Sequence, residues 1–149
     1  MSTLRGDVLV DTNVILKFFF REEDHDQADL LHALSVAGKV RIIVPDFLPL
    51  EFVNVLWLKG RQGELERREI QIALNRFNEL IATIEVVSLL PLVNDILANS
   101  LQYDHPAYDT AFLALASSLD IPFITADQKL YRKASRTSRP PILLRDLEE

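Results

Sequence analysis

The sequence predicts an α/β domain built on a mostly parallel sheet, and two patterns carry that expectation. Short apolar runs recur along the chain and are too continuous for strands with one face in water. Between them lie longer segments whose apolar residues repeat at helical spacing, so that strand and helix alternate with short links.

The strand-like runs are DVLV at 7–10, RIIV at 41–44, IEVVSL at 84–89, PFIT at 122–125 and PILL at 141–144, each rich in Val, Ile, Leu or Phe. A helix is expected over about 24–37. Another starts near Asp46 and runs through the strongly apolar stretch from Pro49 to Lys59, with its proline early, where the first turn tolerates it. Ile70, Leu74, Phe77 and Ile81 mark one face of a helix from about Glu64. Further helices are expected over about 91–102, through AYDTAFLALASSL, where Tyr108, Phe112, Leu115 and Leu119 share a face, and over about 127–135. No repeat, low-complexity stretch or linker divides the chain, so residues 1–149 read as one domain.

A chain of 149 residues with 48% hydrophobic and 26% charged residues has enough material for a core. It has no Cys, which excludes disulfides, thiolate metal sites and Cys nucleophiles, and only three dispersed His, which argues against a His-rich zinc site. The N-terminus lacks an apolar signal core and no run reaches the length of a membrane span, so a cytoplasmic protein without a membrane partner is expected. A net charge of −6 argues against coating nucleic acid through bulk charge, but leaves room for local basic patches around an acidic centre.

Four acids sit at positions that an open α/β sheet brings towards the carboxyl ends of its strands, where such sheets bind ligands. Asp11 follows DVLV, Asp127 follows PFITA, Glu51 lies in PLEFVNVLW, and Asp109 lies in PAYDTAFLALA. Each has a plain structural reading. Asp11 and Asp127 suit helix N-caps, Asp109 complements a helix dipole, and Glu51 fits a partly exposed position on a buried helix. Together they have a chemical one: clustered carboxylates repel unless a counter-charge is present, and Mg²⁺ or Mn²⁺ prefers such oxygen ligands. Thr12, Asn13 and Thr125 are placed to support the carboxylates. Hydrolysis at phosphorus suits a site of this kind.

VDTNVILKFF, PLEFVNVL, HPAYDTAFLALA and ITADQKL, in this order and at these separations, resemble the PIN-domain ribonucleases, and within them the VapC-type toxins of toxin–antitoxin pairs. The resemblance spans essentially the whole chain. It implies a PIN-like α/β sandwich with a central, mostly parallel sheet of about five strands flanked by helices. It implies Mg²⁺- or Mn²⁺-dependent endoribonuclease activity, with the catalytic and metal-binding quartet falling on Asp11, Glu51, Asp109 and Asp127. It also implies RNA as substrate, a homodimer, and a cognate antitoxin that inserts a peptide into the acidic groove. Asp104 is a neighbouring acid, expected in the loop before the Asp109 helix.

Two other functions compete. A phosphatase with Asp11 as nucleophile would want a second acid two residues on, where the chain has Asn13. The other is a non-catalytic PIN-like module that binds RNA or protein. Among the remaining features, the basic segment 130–140, with Arg132, Lys133 and Arg136, is a candidate RNA-phosphate track or else a solvated helix end. KGRQGELERR at 59–68 reads as a solvated helix–helix connection, with antitoxin contact as the alternative. Trp57 and Phe18–Phe20 are expected in the core, with a dimer or antitoxin surface as the alternative, and His105 reads as an incidental loop residue, with substrate contact as the alternative.

Overall fold

The computed structural model describes residues 4–137 and 139–148. Strands β1 (Gly6–Val10), β2 (Val40–Pro45), β3 (Glu85–Val87), β4 (Phe123–Thr125) and β5 (Ile142–Leu143) form one sheet in the order β3-β2-β1-β4-β5. Every pairing is parallel, with Val8 opposite Ile42, Leu9 opposite Phe123, and Val10 opposite Ile124. The order reverses direction at β1 and β4, which makes the junction of those two strands the topological switch point.

The continuous apolar runs mean what their pattern predicts: the sheet is covered on both faces. Val8 and Val10 of β1, Ile42 and Val44 of β2, and Ile124 of β4 face one core. The residues between them, Leu9, Ile43 and Phe123, face a second. The first core is closed by helices α1 (Thr12–Leu16), α2 (His25–Val36), α3 (Leu48–Arg61) and α4 (Arg67–Ile81). Within it Phe52 stacks on Phe77 with ring centroids 4.0 Å apart, tying α3 to α4. The second core is closed by α6 (Ala107–Leu119) and by Leu130 of α7 (Gln128–Ala134), while α5 (Val93–Tyr103) packs against α6. No described helix is long and apolar enough to cross a membrane.

The structure departs from the sequence expectations at element ends. β3 pairs over three residues rather than six, because it is the edge of the sheet and its Glu85 and Val86 face solvent. α3 continues through Lys59 to Arg61, and Gly63, at φ 76°, turns the chain after it. α4 therefore begins at Arg67 rather than near Glu64, with the Glu69 carboxylate accepting from the Glu66 backbone N–H at 3.0 Å.

Phe18, Phe19 and Phe20 pack against the first core as expected, but Trp57 does not: it is 55% exposed. It borders an apolar groove of about 470 Å³ between α3 and α4, with Val53, Leu65 and Ile70, and Arg61 and Arg67 also line it. The helix pattern placed Trp57 correctly on α3 but could not show that the face it occupies has no covering element.

This difference in burial is measurable in urea unfolding. Phe52→Ala, which removes a fully buried ring, is expected to cost about 3–5 kcal/mol. Trp57→Ala is expected to cost at most about 1 kcal/mol, as surface substitutions generally do.

Candidate active site

A helix that returns the chain between parallel strands starts at the carboxyl edge of the sheet. Helix N-termini therefore gather there, and the four acids sit on them. Asp11 is the N-cap of α1 and Asp127 the N-cap of α7, while Glu51 and Asp109 lie in the first turns of α3 and α6. Phe47, just ahead of α3, packs edge-on against Tyr108 and Phe112 of α6, which draws the Glu51 and Asp109 turns together.

The result is a cleft of about 150 Å³ whose lining includes Asp11, Thr12, Asn13, Glu51, Asn54, Asp109 and Asp127 and, among the described residues, no lysine or arginine. All four predicted acids and two of the three supporting residues thus face one space. Thr125 lies fully buried beneath it. A larger concavity of about 480 Å³ lies beside α5 and the far end of α6; among the described residues Asp95 is its one acid, so it carries no comparable grouping.

Each carboxylate is held by a donor. Asp11 Oδ1 accepts from the Val14 N–H at 3.0 Å, and its Oδ2 accepts from the Thr125 hydroxyl. The pairing of β1 with β4 sets up this contact, because the Asp11 N–H donates to the Ile124 carbonyl and so aligns Asp11 beside Thr125. Thr125 in turn accepts from the Asp127 N–H at 3.0 Å, which orients the second acid. Asp127 Oδ1 accepts from the Leu130 N–H at 3.0 Å. Thr12 donates to Glu51 Oε1 at 2.6 Å. Asn13 is exposed at the cleft wall. Asp11 and Asp127 each spend one oxygen on a cap, and both still line the cleft, although the second oxygen of Asp11 is also taken by Thr125.

Burial and the neighbouring carboxylates push Asp11, Glu51 and Asp109 towards protonation. Asp11 is raised from 3.8 to about 6, chiefly by burial and further by the Asp127 charge, although the Thr125, Val14 and Ala126 donors pull it down. Glu51 is raised by burial and by Asp109, against the Thr12 hydrogen bond. Asp109 is raised by burial and by Asp127, against His105. Glu51, Asp109, Asp127 and Asp11 are thus linked in a row of like charges.

Sequence reasoning missed two residues. His105 is buried, and its Nε2 lies 2.9 Å from Asp109 Oδ2 and 3.8 Å from Asp127 Oδ2. Among the described residues, His105, Asp109 and Asp127 are the group of ligand atoms all within 4.8 Å of one another. The signal was its spacing four residues before Asp109. Asn54, three residues after Glu51 on α3, lines the cleft by the same helical logic. Asp104 lies in the turn before α6, as expected. Of the basic candidates, Arg132 and Arg136 are exposed, whereas Lys133 donates to the Asp104 carbonyl and so ties α7 to the turn that carries His105.

A family model for the PIN domain matches residues 8–136. The chain belongs to the PIN-domain family. It is 29% identical over 126 residues to Ribonuclease VapC3 of Pyrobaculum aerophilum, covering 85% of this chain and 93% of that protein. Its fold matches the crystal structure of PAE2754 from the same organism with a TM-score of 0.69 at 16% identity, over 96% of this PIN-domain chain and 93% of that one. It also matches a toxin-antitoxin complex from Klebsiella pneumoniae with a TM-score of 0.58 at 18% identity, over 82% and 88% of the two chains.

The charge row gives a pH signature in the metal-free protein. A carboxyl whose folded pKa is raised favours the fold while protonated, and that contribution is lost as pH rises through the folded value. For Asp11 the loss falls between about pH 4 and 6, and Glu51 and Asp109 act in the same direction. Asp11→Asn removes the largest contributor, on the order of 3 kcal/mol for the difference between 3.8 and about 6. The variant is expected to melt above the wild type at pH 7, and to approach it at pH 4, in thermal unfolding with EDTA.

Proposed function

We propose that this chain is a Mg²⁺- or Mn²⁺-dependent endoribonuclease and the toxin of a toxin–antitoxin pair. The observation that carries the reading is the cleft itself: four carboxylates on one concave surface, three of them pushed towards protonation, with no lysine or arginine among its lining residues. A divalent cation is the counter-charge that fits an all-oxygen donor set of this kind. Membership of the PIN-domain family, and likeness to a protein named as a ribonuclease, support RNA as the substrate.

Asp11, Glu51, Asp109 and Asp127 would hold the metal. When bound, it would supply Lewis-acid polarisation of the phosphodiester and a more acidic water. The chain's own residues prepare the site. Thr125 and the Val14 N–H fix Asp11, Thr12 fixes Glu51, and the Leu130 N–H fixes Asp127, so the carboxylates need little reorganisation when charge arrives. Arg132 lies about 8 Å along α7 from Asp127 by helix rise, and Arg136 just beyond the helix end, close enough to meet RNA phosphates flanking the cleft. Lys133 would act through the Asp104 turn it holds rather than as part of that track.

The antitoxin partner is supported by the fold shared with a toxin-antitoxin complex. The acidic cleft complements a peptide carrying a basic side chain, and the apolar groove beside Trp57 offers a second contact surface. The homodimer is supported by a stripe of Leu90, Val93, Leu97 and Leu101 on and just before α5, 56–79% exposed and carrying no charge, which can pair with its own copy about a twofold axis.

Purified protein is expected to cut structured RNA with Mg²⁺ or Mn²⁺ and not with EDTA. Asp11→Asn and Asp109→Asn should each lower the rate at least about 100-fold, since losing even an outer partner of a metal ligand costs about 10- to 100-fold. Expression of the wild type should arrest growth and Asp11→Asn should relieve it. Growth arrest that survives the substitution would instead favour a binding module without catalysis. Sedimentation tests the dimer separately: Leu97→Glu is expected to convert it to monomer while leaving the fold intact.

A further inference from the structure

We infer that His105 is a positioning residue of the metal site, holding Asp109 in the orientation that presents its other oxygen to the ion. This inference rests on the metal-dependent reading above and extends it to a residue outside the acidic quartet.

The hydrogen bonds of the cleft follow a common plan. Glu51 has one oxygen held by Thr12, Asp127 has one held by the Leu130 N–H, and Asp11 is held by Val14 and Thr125. Asp109 has no hydroxyl or backbone donor of this kind among the described residues. Its Oδ2 instead faces His105 Nε2 at 2.9 Å. The imidazole therefore supplies to the third acid what threonines and backbone amides supply to the others.

The ring has little else to do there. Its side chain is 5% exposed, yet Nδ1 is buried with no hydrogen-bond partner among the described residues. A histidine retained only for packing leaves such a nitrogen uncompensated, at a cost that an apolar side chain would avoid. The tautomer that carries its hydrogen on Nε2 turns a positive edge to Asp109 Oδ2, and the cost of leaving Nδ1 a buried acceptor is then offset by that contact. Nε2 also lies 3.8 Å from Asp127 Oδ2, so its positive edge sits between two acids that otherwise repel.

The backbone around the ring is fixed from both sides. Asp104 caps α5 in the left-handed region at φ 48°, a conformation that aspartate tolerates better than most residues. The His105 N–H donates to the Ser100 carbonyl at 3.3 Å, and Lys133 of α7 holds the Asp104 carbonyl. Pro106 then starts α6, so the ring is delivered four residues ahead of Asp109 on the cleft side.

The test is Mn²⁺ binding, measured by calorimetry on the full chain, for wild type, His105→Leu and His105→Gln. Leucine keeps the apolar volume, and glutamine carries an amide N–H to about the position of Nε2. His105→Leu is expected to weaken Mn²⁺ binding by about 10-fold or more, and His105→Gln to return it to within a few fold of wild type. Pulsed electron paramagnetic resonance of the Mn²⁺-loaded wild type should show no directly coordinated nitrogen.

Unchanged binding in His105→Leu would overturn the inference while leaving the metal reading intact. A directly bound nitrogen would overturn it in favour of His105 as a ligand. Equal loss in both variants without bound nitrogen would overturn it in favour of simple packing. A wild-type chain that binds no Mn²⁺ would overturn the metal-dependent reading and this inference with it. The nitrogen measurement uses the wild type alone, so it stands even where a variant folds poorly.

Discussion

Parallel strands oblige the chain to return from the carboxyl edge of the sheet to its amino edge before each new strand begins, and in this protein helices make those returns. Their N-termini therefore crowd one edge, and the electrostatics of the site follow from that. α1, α3, α6 and α7 all open there, and each carries one of the four acids on its cap or first turn. Helix N-termini are the places where a negative charge costs least, because unpaired backbone N–H groups and the helix dipole both favour it. The same topology that brings the carboxylates together thus also offsets part of their repulsion. Burial first, and the repulsion that remains second, raise Asp11, Glu51 and Asp109, which leaves the cleft short of positive charge.

A site under such strain needs a frame that does not yield, and the two cores provide it. Val8, Leu9 and Val10 are fully buried, on alternating faces, so the strand that delivers Asp11 is clamped from both sides. Ile124 and Thr125 are likewise fully buried in the neighbouring strand. The hydroxyl of Thr125 sits between the two strands' products, donating to Asp11 and accepting from the Asp127 N–H. One buried threonine couples the acid at the end of β1 to the acid that caps α7. Local instability at functional carboxylates, supported by well-packed apolar residues elsewhere, is the usual compromise between stability and activity.

Much of this was legible in the chain because it depends on short-range pattern. Continuous runs such as DVLV announce a strand with two covered faces, and Tyr108, Phe112, Leu115 and Leu119 announce a helix whose first turn holds Asp109. The strand-end acids followed from the same logic. What escaped depends on which surfaces meet. Trp57 lies on the expected helix, yet its exposure reflects the absence of any described element over that face of α3. Lys133 looked like one member of a basic track, but its reach to the Asp104 carbonyl joins elements 29 residues apart. His105 was hidden for a related reason. Its spacing before Asp109 was a signal, but a histidine in a turn does not announce its burial or its place between Asp109 of α6 and Asp127 at the cap of α7.

The caps formed by Asp11 and Asp127 do not conflict with their place in the cleft, and geometry shows why. An ionised carboxylate has two oxygens and about four acceptor positions. A cap hydrogen bond at 3.0 Å consumes one of them and fixes the rotamer of the whole group. The remaining positions then point where the backbone sends them, which at a strand end of an open sheet is into the crevice. Capping lets a short helix of five or seven residues aim an acid, with the Thr125 hydroxyl adding a second donor to Asp11. Glu51 and Asp109, set inside their helices rather than at the caps, have no such backbone donor among the described residues, and their contacts come from side chains instead: Thr12 for one and His105 for the other. Where each acid falls relative to its helix start thus decides whether a main-chain donor is available to it.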